Sequence, residues 1–152
     1  MNYVCQITDE KDQHFLKIKK RTPAQEIPIV LGTCYGEILT YMHEVNLKMS
    51  GAPFVIYYNM DMNDLEIDIC IPLAVESKGR GHIQSDKMDK GQYISTLHIG
   101  PYQTLNNAYR SVTEYIQTNN IAITGIAYEF YLNDPQEVAP EDLQTRIMFK
   151  LL

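Results

Sequence analysis

Laid over itself with a shift of 74 residues, the chain repeats its own pattern. Leu31, Tyr35, Ile38, Tyr41, Met42, Leu47 and Gly51 fall on Leu105, Tyr109, Val112, Tyr115, Ile116, Ile121 and Gly125. Positions 31, 35, 38 and 42 share one helix face, because side chains three and four residues apart stack on the same side. At the same shift, residues 51–59 lie over 125–133. Beyond a turn that is four residues longer in the second copy, Leu65, Ile67, Ile69, Ile71 and Leu73 meet Leu143, Thr145, Ile147, Phe149 and Leu151. Upstream, residues 15–23 lie over 93–101. The same elements in the same order mark an internal duplication, which restricts the chain to folds built from two like halves.

Each copy reads strand, helix, strand, strand. In the first, alternation predicts a strand over 14–21. Thr22-Pro23-Ala24-Gln25 has the spacing of a capping box. Pro28 forbids a helix running through it, so the main helix is expected from about Pro28 to about Asn46. Strands at 53–59 and 65–73 form a hairpin around residues 59–64. The second copy gives a strand near 91–99, a Gly100-Pro101 turn, a helix over 102–119, and strands near 126–132 and 143–151. Residues 1–8 suggest an added edge strand through Val4 and Ile7. The expected organisation is one domain over 1–152, with repeat one at 14–75, a polar connecting loop at 76–91 and repeat two at 92–152. Two β-α-β-β units on one antiparallel sheet with two helices make an α+β fold with pseudo-twofold symmetry.

The central strands are apolar on both faces: Phe54, Ile56 and Tyr58 against Val55 and Tyr57. A sheet with one wet face alternates apolar and polar residues, so both faces here are covered or one lines a cavity. Within residues 126–132 the only charge is Glu129, and the first copy has Val55 in its place. A buried carboxylate is costly unless it is paired, wetted or met by a ligand. Two readings fit: an ion pair with Arg146 across the hairpin, or a carboxylate kept for an organic cation among tyrosine rings. Tyr131 and Tyr57 share the strand face of this position, beside Ala127 and Val55, and are the better candidates for a pocket wall. Tyr35 and Tyr109 recur at helical spacing and suit packing and ligand contact equally, whereas Tyr41 and Tyr115 read as helix-to-sheet packing.

The remaining chemistry is sparse. Nineteen acids against thirteen bases give a net charge of −6, and there is no basic stripe of the kind a phosphate backbone requires. No stretch approaches the roughly 18 apolar residues of a membrane span, and residues 1–6 lack the pattern of a signal peptide. Three cysteines without CxxC spacing suit a reducing, cytoplasmic setting. Cys34 and Cys70 read as small buried hydrophobes, and Glu66 and Asp68 as a solvated strand face. His14, His43, His82 and His98 show no metal-ligand spacing, so no metal or cofactor is expected. No nucleophile–base pair is evident.

His98-Ile-Gly-Pro-Tyr102, then Leu105, Ala108-Tyr109, Tyr115-Ile116, Tyr128-Glu129-Phe130-Tyr131-Leu132-Asn133-Asp134-Pro135 and Pro140-Glu141-Asp142, resemble the GyrI-like small-molecule-binding family, the effector-binding domains of bacterial drug-responsive regulators. The resemblance spans nearly the whole chain. It implies a curved sheet with a ligand cleft between the halves and Glu129 facing bound organic cations. The last strand departs from the family pattern: Thr145-Arg146 and Phe149-Lys150-Leu151 stand where an acid and a proline are usual, so Arg146 could neutralise Glu129. The expected function is a stand-alone protein, without room for a helix-turn-helix, that senses or sequesters amphipathic, cationic small molecules. Three alternatives remain open. One is a gyrase-inhibitor-like regulator acting on a protein partner or as a homodimer. Another is a hydrolase of strained rings, with Glu129 as base and Tyr131 beside it. The third is haem binding, which would need an exposed cleft histidine.

Overall fold

The computed structural model describes residues 3–152. In chain order its elements are β1 (Gln6–Glu10), β2 (Gln13–Thr22), α1 (Ile27–Glu44), β3 (Phe54–Tyr57), β4 (Leu65–Leu73), β5 (Gln84–Met88), β6 (Gly91–Ile99), α2 (Leu105–Thr118), β7 (Ile123–Tyr131) and β8 (Gln144–Leu151). The described ladders are antiparallel, and the α+β fold with a duplicated β-α-β-β order is as expected. The chain forms two compact units, residues 11–90 and residues 3–10 with 91–152.

In the first unit the strands run β3-β4-β2-β5, and α1 packs on β2 and β4. Register places Leu16, Ile18, Val55, Tyr57, Ile67, Ile69 and Ile71 on one sheet face, all of them buried. The opposite face carries Phe15 and Phe54, whose rings meet edge to face at 5.2 Å. Both faces are therefore covered, as the double apolar pattern requires. In the second unit the order is β1-β6-β8-β7, with α2 against β6. The helices end alike. Asn46 and Asn120 take left-handed φ of 59° and 52°. The next residues reach back, Leu47 N–H to Met42 O at 2.8 Å and Ile121 N–H to Ile116 O at 3.0 Å. Asparagine tolerates this conformation, and the back-bonds satisfy carbonyls the helix leaves open.

Several expectations are corrected. Residues 76–91 are not only a loop: they contain β5, which pairs with β2 from Gln13–Met88 to Lys17–Gln84. This strand lies at one end of the unit's sheet and four of its five residues are exposed, so it lacks the apolar alternation that marks a strand. The tight turn before it depends on Gly79, where a Cβ would meet Ile83 O at 1.8 Å. The capping box does not form. Thr22 donates to Pro23 O, residues 24–26 make a 3-10 turn, and α1 starts at Ile27 without a side-chain cap. The added strand is β1, which joins β6 of the second unit; residues 1 and 2 of the expected strand lie outside the described residues. Tyr41 packs as expected, but Tyr115 is 38% exposed.

The largest correction concerns Asp68, which is fully buried, not solvated. Lys17 Nζ donates to Asp68 Oδ2 at 3.2 Å and to Asp86 Oδ2 at 2.6 Å, and the Tyr58 hydroxyl donates to the same Asp68 oxygen at 2.6 Å. Burial pulls the Lys17 pKa down, but hydrogen bonding and attraction from both carboxylates outweigh it and hold the pKa above 10.5. Removing one partner of a buried pair strands the other charge. Lys17→Met is expected to lower unfolding free energy by about 3–5 kcal/mol at pH 7, read from urea denaturation. Because the folded-state pKa of Lys17 is raised, its contribution is complete below pH 10.5. The gap between wild type and variant should close as pH rises through that raised value.

Candidate functional site

The polar chemistry of the second unit converges on one sheet face. A register shift between Ile123 and Ala127, with Gly125 at φ 88°, sets the phase of the rest of β7. Ala127, Glu129 and Tyr131 then point to the same side, opposite Phe149, Ile147 and Thr145 of β8. These in turn face Ile94, Thr96 and His98 of β6. Glu129 is only 7% exposed. Its Oε1 accepts from the Tyr131 hydroxyl at 2.9 Å, and its Oε2 accepts a short hydrogen bond from the Tyr109 hydroxyl. Tyr109 comes from α2, and its ring stands edge-on to Phe149 at 6.1 Å, which places the helix over this face. Charge-assisted hydrogen bonds from two phenols stabilise a carboxylate that burial alone would penalise.

The ion pair expected across the hairpin does not form in this register. Arg146 stands opposite Phe130, and side chains alternate along a strand, so Arg146 belongs to the face away from Glu129. Thr145, by contrast, is directly opposite Tyr131 on the Glu129 side, and His98 is opposite Thr145 on its other flank. Thr145 is fully buried, and its Oγ1 has no hydrogen-bond partner. An unsatisfied buried hydroxyl costs about 1–3 kcal/mol.

Sequence reasoning passed over Tyr102. Its ring meets the Tyr131 ring edge to face at 6.0 Å and is 39% exposed. Burial, then the nearby charges of Asp134 and Glu129, push its pKa above 10.0. The Gly100-Pro101 turn presents it. Gly100 adopts φ 145°, and His98 Nε2 lies 3.1 Å from Pro101 O. Since a carbonyl only accepts, Nε2 carries the proton, and Nδ1 accepts from the Tyr3 hydroxyl at 2.9 Å. The buried His98 thus braces the turn. The signal was the turn dipeptide itself, which fixes where the next side chain emerges.

Of the candidate residues, the structure groups Glu129, Tyr131, Tyr109 and Ala127 in the second unit. Tyr35, Val55 and Tyr57 belong to the first: Val55 and Tyr57 share a buried strand face, and the Tyr35 hydroxyl donates to Phe54 O at 2.9 Å. Among the described residues no cluster of three metal-binding side chains occurs, and no helix is long and apolar enough to cross a membrane.

Comparison with known proteins places these observations. The crystal structure of the EcmrR C-terminal domain superposes with a TM-score of 0.83 at 16% identity, covering 100% of this chain and 99% of that one. The cryo-EM structure of the EcmrR–DNA complex gives 0.86 at 17% identity over 98% of this chain, which spans 57% of that longer chain. The structure of SAV2435 bound to tetraphenylphosphonium gives 0.71 at 15% identity, covering 100% of this chain and 94% of that one. At such identities the likeness is one of fold. No curated protein sequence matches. The model of the GyrI-like small-molecule-binding domain matches residues 4–152, and with that span the chain belongs to the GyrI-like family.

Proposed function

We propose that this domain binds amphipathic organic cations, with Glu129 as the charge acceptor and the rings of Tyr131, Tyr109 and Tyr102 as the wall. The observation that carries the reading is the placement of Glu129: a carboxylate nearly sealed from solvent, held by two phenol donors beside Ala127, Ile147 and Phe149. A cation entering there gains Coulomb attraction in a medium of low effective dielectric. It also gains roughly 0.5–2 kcal/mol from each ring face it meets. The Tyr102–Tyr131 pair is the more exposed side of the group, and a ligand reaching Glu129 displaces it. Tyr109 and Tyr131 donate toward the carboxylate, and a donating phenol oxygen keeps lone pairs with which to accept from an N–H group. SAV2435, which shares the fold, has been captured with tetraphenylphosphonium, which makes that compound the natural first probe.

At a concentration near 100 times its Kd, a single-site ligand stabilises the folded state by about 2.7 kcal/mol, or roughly 5–10 °C in Tm for a domain of this size. Tetraphenylphosphonium is expected to give such a shift. Glu129→Gln should cut it by more than half while leaving the circular dichroism spectrum unchanged. Equal shifts in the two proteins would remove Glu129 from the site. Glu129→Gln should also bring the Tyr102 pKa down toward 10.0 without reaching it, because burial remains the larger cause of its rise. Tyrosine-selective NMR titration reads this directly, and an unmoved Tyr102 would show that the two groups do not share an environment.

A further inference from the structure

The two repeats supply an internal control for what the site recognises. On the helix-covered face, the first unit has Val55 and Ile67 at the positions that the second fills with Glu129 and Thr145. The tyrosines beside them, Tyr57 and Tyr131, are the same in both copies. Two hydrocarbon positions have therefore become polar together, on neighbouring strands and on one face. They are diagonal in the ladder, Glu129 opposite Ile147 and Thr145 two residues away on the same strand. Diagonal neighbours in a sheet lie about 7–8 Å apart, within the span of one small molecule. Tyr109 and Tyr131 both donate to Glu129, whereas the Thr145 hydroxyl is fully buried with no partner. His98, flanking it, already uses both ring nitrogens on Tyr3, Pro101 and Thr104. A hydroxyl that served only packing would be replaced by valine or isoleucine at no loss, as the first repeat does at Ile67.

Building on the proposed cation site, we infer that Thr145 is a second polar anchor and that the preferred ligand is a protonated amine that also bears a hydrogen-bonding group, such as an amino alcohol. The ammonium meets Glu129 and the hydroxyl meets Thr145 Oγ1. A cation with neither N–H nor O–H uses only the first of these. The preference then resides in Thr145, and the affinity common to all cations resides in Glu129.

A matched pair of probes separates the two: propranolol, and the analogue whose side-chain hydroxyl is replaced by hydrogen, titrated calorimetrically. The wild-type protein is expected to bind propranolol about fivefold more tightly, the worth of one ordinary hydrogen bond. Thr145→Val should bind both probes equally, with the affinity of the deoxy analogue unchanged. Without ligand, Thr145→Val should melt at or above the wild-type temperature, since an orphaned hydroxyl is removed. Equal wild-type affinities, with Glu129→Gln weakening both probes, would overturn the role of Thr145 and leave the cation site standing. A Thr145→Val protein that melts below wild type would also overturn it, by showing an internal partner for the hydroxyl. If Glu129→Gln alters neither affinity, or neither probe binds, the cation site itself fails and this inference with it.

Discussion

The pairing register of β7 against β8 decides the character of the second unit. With Glu129 opposite Ile147 and Tyr131 opposite Thr145, the carboxylate, one of its phenol donors and the orphaned hydroxyl share the side covered by α2, while Arg146 goes to the other. A slip of one residue would exchange the faces, bringing Arg146 under the helix and sending Glu129 away. Two features hold the register in place. The shift at Gly125 absorbs the irregularity before the strand reaches Ala127, and the buried residues Ala127, Ile147 and Phe149 cannot be turned outward without losing their burial. The electrostatics of the site thus rest on apolar packing: the hydrocarbon face fixes where the charge must be.

The duplication makes the same point by contrast. One architecture is used twice, yet each copy places its buried charge differently. In the first unit Asp68 lies on the face away from Val55 and Ile69, answered by Lys17 and Tyr58. In the second, the position matching Asp68 is Arg146, and the acid has moved to β7 on the opposite side. Oδ2 of the aspartate is met by the lysine and the phenol, while its buried Oδ1 has no hydrogen-bond partner. Glu129 instead accepts from two phenols, each of which donates a hydrogen bond and carries no charge of its own. Within its own unit each copy thus solves burial of a carboxylate differently, and the cation site proposed above rests on the solution in the second.

Much of this was legible in the residues. The duplication, the helix and strand order, the doubly buried β3 and the singular position of Glu129 all follow from period and composition, because core-facing positions repeat at the spacing of the element that bears them. What escaped reading has identifiable causes. Strand β5 has an edge strand's composition, polar on nearly every residue, and its pairing depends on a partner far away in the chain. Asp68 alternates with isoleucines just as a solvated residue would; its burial depends on Lys17, 51 positions earlier, which no local pattern reveals. Thr22 and Gln25 have the spacing of a cap, but the 3-10 turn at 24–26 moves the helix start beyond them. The hairpin pairing of Glu129 with Arg146 was undone by a single step of register, which spacing along one strand cannot supply.

The hydrogen bonding at Glu129 also shows how a carboxylate can be buried on the helix-covered side of a sheet. Glu129 has hydrogen bonds on both oxygens, so burial does not leave it bare. Under the proposed cation site, a guest would approach this carboxylate past phenol side chains that can turn and offer their ring faces. Tyr102 is suited to that movement, being partly exposed and set on a turn at the start of α2, whereas the histidine that braces the turn is buried and bonded at both nitrogens. On the proposed reading, a partly exposed ring beside a carboxylate whose place is set by the sheet register would let cations of different shape share one charge partner.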